Sequence, residues 1–237
     1  MNHKTRRISA ATAAVPRAAV ARRAASGRAR NTREMESSTR DRVYDFIRHV
    51  ILTGEYQGGT FIEEEDISAR IGVSRTPVRE AFHRLNAEQY IDLLPRKGAL
   101  VRQVSPQELA GMYQARLMIE GSVMELICRE RIPVSPEIPD IIERMRDTKS
   151  VDTPDGRLAY IDLDWSLHCA IVEMCGNDVL TEMYKSIRSR FDRVVRTIVM
   201  TQDHVKKVNK EHVAICKLLQ AHDADQLRIT LKEHLTL

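Results

Sequence analysis

The stretch that most constrains the fold of this chain reads GVSRTPVREAFHRL and runs from Gly72 to Leu85. An α-helix advances about 100° per residue, so a helix that begins after Ser74 gathers its apolar side chains into one arc. That arc consists of Val78, Ala81, Phe82 and Leu85, and the opposite side presents Arg75, Thr76, Arg79 and His83. We predict that Ser74 is the N-cap and that its hydroxyl accepts a hydrogen bond from the first turn. A helix that is anchored on one side and presents two arginines near its N-terminus has the layout of a DNA-recognition helix.

Patterns on both sides of this stretch predict a small domain over residues 38–103. Apolar residues recur at helical spacing from Val43 to Ile51, and residues 63–71 fit a second, shorter helix. Two short alternating runs, 90–94 and 99–103, flank a basic, glycine-containing turn, which is typical of a β-hairpin. Three helices followed by a hairpin make a winged helix-turn-helix.

The remainder of the chain, residues 104–237, is predicted to be entirely helical. Apolar residues repeat at helical spacing in six segments, separated by prolines, glycines and short polar loops. The segments extend to about residue 131 and then cover a helix that starts near 141, 158–175, 179–200, 205–220 and 224–235. The fold class is therefore mainly α, a winged helix-turn-helix followed by an all-α helical bundle. No phosphate-binding glycine-rich loop and no G-x-S-x-G nucleophile motif occurs.

Basic charge is concentrated at the start of the chain. Residues 1–33 hold nine Lys and Arg residues and no acid, whereas the rest holds 28 basic and 33 acidic residues. Because large apolar side chains are almost missing there, residues 1–37 are predicted to form a disordered basic tail. Three interpretations of the tail stay open: a solvated extension, an arm that contacts DNA phosphates, or an Arg-rich transit peptide.

Cysteine usage and hydropathy favour a cytoplasmic protein. The cysteines contain no C-x-x-C pair and no spacing typical of a disulfide framework, so we expect reduced, mostly buried thiols. They are Cys128, Cys169, Cys175 and Cys216. No apolar run approaches the roughly 18 residues that a membrane-spanning helix needs.

Three histidines and one aspartate of the helical half are candidates for a shared site. Asp164 and His168 are four residues apart on one predicted helix and therefore share a face. His212 follows on a later helix, and His234 comes 22 residues after it on the last helix. Any one of these histidines alone is more often a core or surface residue than a ligand. Three imidazoles and one carboxylate that converge inside a bundle are a candidate site for a divalent transition metal such as Zn, Ni or Mn.

Residues 41–103 resemble the DNA-binding domain of the GntR family of bacterial transcription regulators. The matching positions are Gly54, Gly59, Glu65, Ile67, the run from Gly72 to Ala81, Arg84, Leu85, Gly98 and Val101. The resemblance implies that operator DNA is contacted by the recognition helix and, in the minor groove, by the tip of the hairpin wing. The residues so implied are Arg75, Thr76, Pro77 and Arg79 on the helix, and Arg96, Lys97 and Gly98 on the wing. Some family members have a DNA-contacting arginine where this chain has Glu65, and that contact is not expected here.

The helical half resembles the FCD effector domain of the FadR-type branch of the same family. The matching segments are residues 116–120, 164–168, 176–177, 211–212 and 223–234. The resemblance implies that Asp164, His168, His212 and His234 hold a metal ion whose remaining positions accept water or a small carboxylate effector. Arg116 is then a candidate for binding the effector carboxylate, because a guanidinium suits bidentate contact. The alternative for Arg116 is an ion pair with Glu120.

The leading hypothesis is a metabolite-responsive transcription factor, more specifically a repressor and not an enzyme. As a homodimer in the bacterial cytoplasm, nucleoid-associated when bound to DNA, it would bind a two-fold symmetric operator. One alternative is a metalloenzyme, hydrolase-like, that uses the helix-turn-helix as a locator. Another is a repressor whose metal ion is purely structural, in which case metal removal unfolds the second domain.

Overall fold

The computed structural model describes residues 39–95, 97–148, 151–195 and 201–236. The predicted basic tail over residues 1–37 lies outside the described residues, as does Arg96. Within the first half, helix α1 covers residues 39–52. It is followed by β1 (Phe61–Ile62), α2 (Glu64–Ile71), α3 (Arg75–Ala87), β2 (Ile91–Leu94) and β3 (Gly98–Val101). This order confirms the predicted winged helix-turn-helix.

Helix α3 packs through the four apolar residues that its sequence pattern selects, and all four are fully buried. They join α1 and α2 in one core that includes Val43, Ile47 and Ile67. Ser74 occupies the N-cap position, but among the described residues its hydroxyl makes no capping hydrogen bond. That detail of the prediction is wrong because the third residue of the helix, Pro77, has no N–H to donate to a cap.

The wing is part of a three-stranded antiparallel sheet in the order β1-β3-β2. Strands β2 and β3 form the predicted hairpin, with Leu94 paired to Gly98. The two-residue strand β1 pairs with the other edge of β3 and was not predicted. Gly98 has a φ of +120°, and a Cβ there would lie 2.3 Å from the carbonyl oxygen of Ile62. Only glycine therefore allows β1 to approach the wing this closely.

The second half consists of helices, as predicted. They are α4 (Pro106–Glu130), α5 (Glu137–Arg146), α6 (Pro154–Glu173), α7 (Asp178–Ser186), α8 (Arg188–Val195), α9 (Gln202–Ala221) and α10 (Ala224–His234). The segment predicted as one helix over residues 179–200 contains two helices, α7 and α8, which separate at Ile187. Its last five residues, 196–200, lie outside the described residues. Helix α5 also starts earlier than predicted, because Pro139 lies in its first turn, where a missing N–H leaves no helical hydrogen bond unmade.

Helix α8 connects the two halves of the molecule. Asp192 on α8 is only 2% exposed. Its carboxylate accepts hydrogen bonds from Arg48 of α1 and, at 2.8 Å, from the hydroxyl of Tyr90. A buried, charged contact of this kind fixes the first half against α8, because an unpaired carboxylate there would be costly. Among the described helices, none combines the length and the apolar character that a membrane span requires.

Candidate metal centre and nucleic-acid interface

The polar face of α3 is exposed, as its sequence pattern predicts. Arg75, Thr76 and Arg79 all lie on the surface, while Pro77 is half-buried in the first turn. This face forms one wall of a groove of about 630 Å³. The start of α2 and the wing, with Lys97 and Gly98, complete the groove. Four of the seven sequence-predicted DNA contacts, Arg75, Arg79, Lys97 and Gly98, therefore line one groove. Thr76 and Pro77 belong to the first turn of α3 but are not among the residues that line it, and Arg96 lies outside the described residues.

Both arginines of this face are paired with carboxylates of α2. Arg75 forms an ion pair with Glu65. The Nε of Arg79 donates to the two carboxylate oxygens of Glu64 at 3.0 and 2.7 Å. Sequence analysis anticipated that Glu65 would not contact DNA, but it gave no indication that Glu65 pairs with a recognition arginine. Both arginine side chains are more than half exposed, so these pairs are weak and exchangeable.

Arg84, the remaining arginine of α3, contacts side chains of its own domain. Its guanidinium lies 3.7 Å from the ring centroid of Tyr44 and pairs with Glu88 and Asp41. These contacts link α3 to α1 on the side away from the groove. Arg84 therefore braces the domain.

Three helices bring the predicted histidines and aspartate together in the second half. Helix α6 supplies Asp164 and His168, α9 supplies His212, and α10 supplies His234. The Nε2 atom of His234 lies 3.2 Å from that of His212 and 3.4 Å from that of His168. The Oδ1 atom of Asp164 lies 3.3 Å from Nε2 of His212 and 3.9 Å from Nε2 of His168. Four potential ligand atoms thus converge on one point, which we call the histidine centre.

Two further carboxylates set the orientation of the imidazoles. The Nδ1 of His168 lies 2.8 Å from Glu120, and the Nδ1 of His234 lies 2.9 Å from Glu211. A carboxylate only accepts, so each Nδ1 carries the proton and each Nε2 presents a lone pair to the centre. The Nε2 atoms of His168 and His234 therefore face each other as two acceptors.

The electrostatics of the centre favour the neutral form of two imidazoles, those of His168 and His212, and the charged form of two carboxylates, those of Glu120 and Glu211. Burial and the positive charge of Arg116 lower the pKa of His168, and burial with the neighbouring histidines lowers the pKa of His212 well below its usual value. Burial by itself would raise the pKa of Glu120, but Arg116 and His168 outweigh it and hold that pKa below its usual range. The hydrogen bond with His234 lowers the pKa of Glu211. All of these shifts favour the protonation states that metal binding requires.

The residues fit a divalent metal ion in donor type and spacing. Imidazole nitrogen and carboxylate oxygen bind Zn²⁺ at about 2.0–2.1 Å, which places neighbouring ligands about 3.0–3.4 Å apart. Three of the four separations above lie in that range. A cation would also satisfy the two facing lone pairs of His168 and His234, beside which the described residues place one further ring nitrogen, Nε2 of His212 at 3.2 Å from that of His234. Within the described residues, the histidines form a cluster that can hold a metal ion.

Arg116 lies beside the histidine centre, where it is almost fully buried. Its Nε donates to Glu120 at 2.7 Å, so the predicted alternative of an ion pair with Glu120 is observed. One terminal nitrogen of the guanidinium has no hydrogen-bond partner among the described residues. Arg116, Asp164 and His234 line a cavity of about 250 Å³, which is also lined by Phe191 of α8.

Two residues that orient the predicted ligands, Glu211 and Glu120, have no signature of that role in the sequence. Glu211 precedes His212 directly, yet it contacts His234 on the neighbouring helix, and no spacing rule indicates that contact. From the sequence, Glu120 is a candidate partner of Arg116, whereas in the structure it also bonds His168 and accepts from Tyr184 at 2.6 Å. The sequence indicates only the placement of Glu120 four residues after Arg116 on an otherwise apolar helix face.

Comparisons with known proteins agree with this architecture. The model of the bacterial regulatory proteins of the GntR family matches residues 39–101, and the model of the FCD domain matches residues 111–237. The Nta operon transcriptional regulator of Aminobacter aminovorans is 25% identical over 183 residues, which cover 76% of this chain and 83% of that protein. The gluconate operon transcriptional repressor of Bacillus subtilis is 36% identical over 112 residues, about half of each protein (47% and 46%).

A solved structure has the same fold. A GntR transcriptional regulator from a Rhodococcus species superposes with a TM-score of 0.66 at 20% identity, over 84% of this chain and 94% of that one. These relatives are named as transcriptional regulators, so the metalloenzyme alternative receives no support.

Proposed function

The chain belongs to the GntR family of bacterial regulatory proteins, with an FCD domain as its second half, and we propose that it is a metal-dependent repressor that a small carboxylate metabolite releases from DNA. It regulates transcription by binding DNA through its winged helix-turn-helix. We propose the residues that contact the operator, the metal ion and its ligands, and the chemical class of the effector.

Operator contacts are assigned to the exposed face of α3 and to the wing. Arg75, Thr76, Pro77 and Arg79 face the major groove, and Lys97 and Gly98 reach the minor groove beside them. A two-fold homodimer would present two such surfaces to a pseudo-palindromic site. Replacing Arg75 or Arg79 by Ala is expected to lower discrimination between operator and random DNA by about 1–3 kcal/mol. An equal loss on both DNAs would assign these arginines to phosphates only.

Asp164, His168, His212 and His234 are the proposed ligands of a divalent transition metal. The observation that carries this proposal is the pair of unprotonated Nε2 atoms that face each other at 3.4 Å, each fixed by a carboxylate on its other nitrogen. Two facing acceptors are unfavourable without a shared cation or donor. When bound, the ion would supply a Lewis acid that attracts an anionic ligand.

The cavity beside the histidine centre supports an anionic effector. Arg116 directs a buried guanidinium with an unpaired N–H group to it, and an unpaired buried donor favours a ligand that accepts. Lys207 also lines the cavity, where its ammonium group lies 3.6 Å from the carboxylate of Glu211. A small carboxylate would supply both a hydrogen-bond acceptor and a negative charge, since guanidinium binds carboxylate with two parallel hydrogen bonds.

Helix α8 offers a direct connection between this cavity and the DNA-binding half. Phe191 lines the cavity, and the guanidinium of Arg116 lies 5.2 Å from its ring centroid. The next residue, Asp192, binds Arg48 and Tyr90 of the DNA-binding half. A ligand that displaces Phe191 therefore also displaces the contact that orients that half. Because such coupling is reciprocal, operator DNA must weaken effector binding by the same factor.

Two measurements test the proposal. Elemental analysis of the dialysed protein should find one equivalent of Zn, Ni or Mn per chain, and His168→Ala should lose it while His83→Ala, on the exposed face of α3, should not. A thermal-shift screen of carboxylate metabolites on the metal-loaded protein should then identify a stabilising ligand that releases DNA in fluorescence anisotropy.

The outcomes separate the alternatives. If chelation unfolds the second half, the metal is structural. If the protein holds no metal at any pH and His168→Ala changes nothing, the proposed centre is wrong.

A further inference from the structure

We infer that Glu64 and Glu65 are specificity-determining residues, which pair with the recognition arginines and so suppress binding to DNA that lacks the operator sequence. This inference rests on the proposed DNA contacts of Arg75 and Arg79. It concerns two acidic residues of α2 that the family resemblance does not assign to DNA binding.

The geometry places each carboxylate on one arginine. Glu65 pairs with Arg75, and Glu64 accepts from Nε of Arg79 at 2.7 and 3.0 Å. All four residues line the groove between α2, α3 and the wing. DNA that enters this groove must therefore displace a carboxylate from each arginine before the arginine can bind a base or a phosphate.

The competition affects phosphates and bases differently. When an exposed arginine exchanges its carboxylate partner for a DNA phosphate, one anionic oxygen replaces another, so the exchange contributes little binding free energy. A guanine in the major groove accepts two hydrogen bonds in the fixed geometry of the guanidinium, which an operator provides at chosen positions only. The released carboxylates also repel nearby phosphates in every sequence. Both effects weaken binding to random DNA more than binding to the operator.

The pairs are suited to exchange because they are exposed. The side chains of Arg75 and Glu65 are 58% and 63% exposed, whereas Arg79 is 62% exposed and its partner Glu64 only 25%. The pair of Arg75 and Glu65 is therefore the more exchangeable of the two. Water and salt screen such pairs, so they compete with DNA without preventing its binding. Glu63 lines the same groove but makes no ion pair with α3 among the described residues, which makes it the matched control.

The test measures binding of the full chain to two fluorescein-labelled duplexes by anisotropy over a series of salt concentrations. One duplex has random sequence, and the other is the operator selected from a random library by the wild-type protein. Variants are Glu64→Gln with Glu65→Gln, the control Glu63→Gln, and the double glutamine variant that also carries Arg75→Ala and Arg79→Ala.

The double glutamine variant should bind random DNA about tenfold more tightly near 0.1 M salt, because two cations per domain become available to phosphates. Its plot of log K against log salt should steepen by about 1.8 per bound domain. Operator affinity should rise much less, so the specificity ratio falls. Glu63→Gln should change each quantity only slightly.

Three results would overturn the inference. If Glu63→Gln, which removes one carboxylate, gives half the effect of the double variant, which removes two, only net charge matters. If the gain persists after both arginines are replaced, the carboxylates act without them. If the double variant binds random DNA as the wild type does, Glu64 and Glu65 have no such role. Loss of operator discrimination in Arg75→Ala alone tests the proposed function separately, so the two failures are distinguishable.

Discussion

Replacing Glu211 by Gln tests the metal centre without removing any of its four proposed ligands. Glu211 accepts from Nδ1 of His234 at 2.9 Å and is partly exposed, so an amide fits the site and leaves no buried charge unpaired. Loss of a carboxylate behind a ligating histidine typically weakens metal binding 10- to 100-fold. Each factor of ten is about 1.4 kcal/mol. Since Glu211 has some access to solvent, we expect the lower end of the range, about 1.4–2 kcal/mol.

Metal-dependent stabilisation provides the assay. Ligand binding stabilises the folded protein by an amount that depends on the ratio of metal concentration to Kd, so Glu211→Gln should lose about 1.4–2 kcal/mol of it at fixed, buffered Zn²⁺. For a chain of this size, that loss is a decrease of roughly 3–8 °C in the metal-induced rise of Tm. Competition with a chelator should give the same ratio of Kd values directly.

The control and the refuting result follow from the structure. Glu173→Gln removes an exposed carboxylate that pairs with Lys185 and, among the described residues, with none of the four ligands, and it should leave metal affinity unchanged. Glu120→Gln is unsuitable, because it would leave the buried charge of Arg116 without its partner and destabilise the metal-free protein by about 3–5 kcal/mol. If Glu211→Gln binds Zn²⁺ as tightly as the wild type, the assignment of His234 as a ligand that Glu211 orients is wrong.

Three further predictions follow from other parts of the structure. Asp192→Asn should lower the free energy of unfolding, measured in urea, by about 1.5–3 kcal/mol, because Arg48 loses a charged partner. The same variant should reduce the effect of the effector on DNA affinity. If that effect is unchanged, α8 is not the connection between the two halves. The metal-free protein should lose stability as pH falls below about 6.5, because the pKa values of His168 and His212 are lower in the folded state and the unfolded chain therefore takes up protons first. Each histidine contributes up to about 1.4 kcal/mol per pH unit to this loss. A free energy of unfolding that does not change between pH 6.5 and pH 5 would contradict the prediction. Gly98→Ala should destabilise the first half by about 2–3 kcal/mol, because φ is +120° and the new Cβ meets backbone; calorimetry that finds an unchanged Tm would show that β1 is free to move.

Features that depend on local periodicity or on a single turn were predictable from the sequence. The buried face of α3 follows from the spacing of Val78, Ala81, Phe82 and Leu85, and the wing follows from two alternating runs around a turn. The boundary at Ile187 was not predictable, because the apolar spacing continues across it with no Gly or Pro. Strand β1 was missed because two residues carry no pattern of their own and form a strand only by pairing with β3.

The candidate sites depend on contacts between helices, which the sequence alone does not predict. The i, i+4 spacing of Asp164 and His168 indicates a shared face, but only the packing of α6, α9 and α10 determines which atoms converge. The pairing of Glu64 with Arg79 depends in the same way on how α2 crosses α3. Family resemblance supplied the four proposed ligands, whereas the carboxylates that orient them became evident only from the structure.

Burial explains why similar carboxylate–arginine pairs have different consequences in this protein. Glu120 is fully buried with Arg116, so neither can be exchanged and the pair fixes His168 beside the cavity. Asp192 is buried while its partner Arg48 remains partly exposed, so this pair holds two halves together yet can rearrange when α8 moves. Glu65 and Arg75 are both exposed, and DNA can separate them.

This order also fits a regulator that must respond to a ligand. The least exchangeable pair lies at the proposed effector site, the intermediate one at the proposed connection through α8, and the most exchangeable one at the proposed DNA-binding surface. Binding energy at the sensor therefore has a rigid element to act on, whereas the DNA surface can bind and release its partner without unfolding. If instead the pair of Arg116 and Glu120 were the one that rearranged on ligand binding, Asp192→Asn would leave effector-dependent DNA release unchanged.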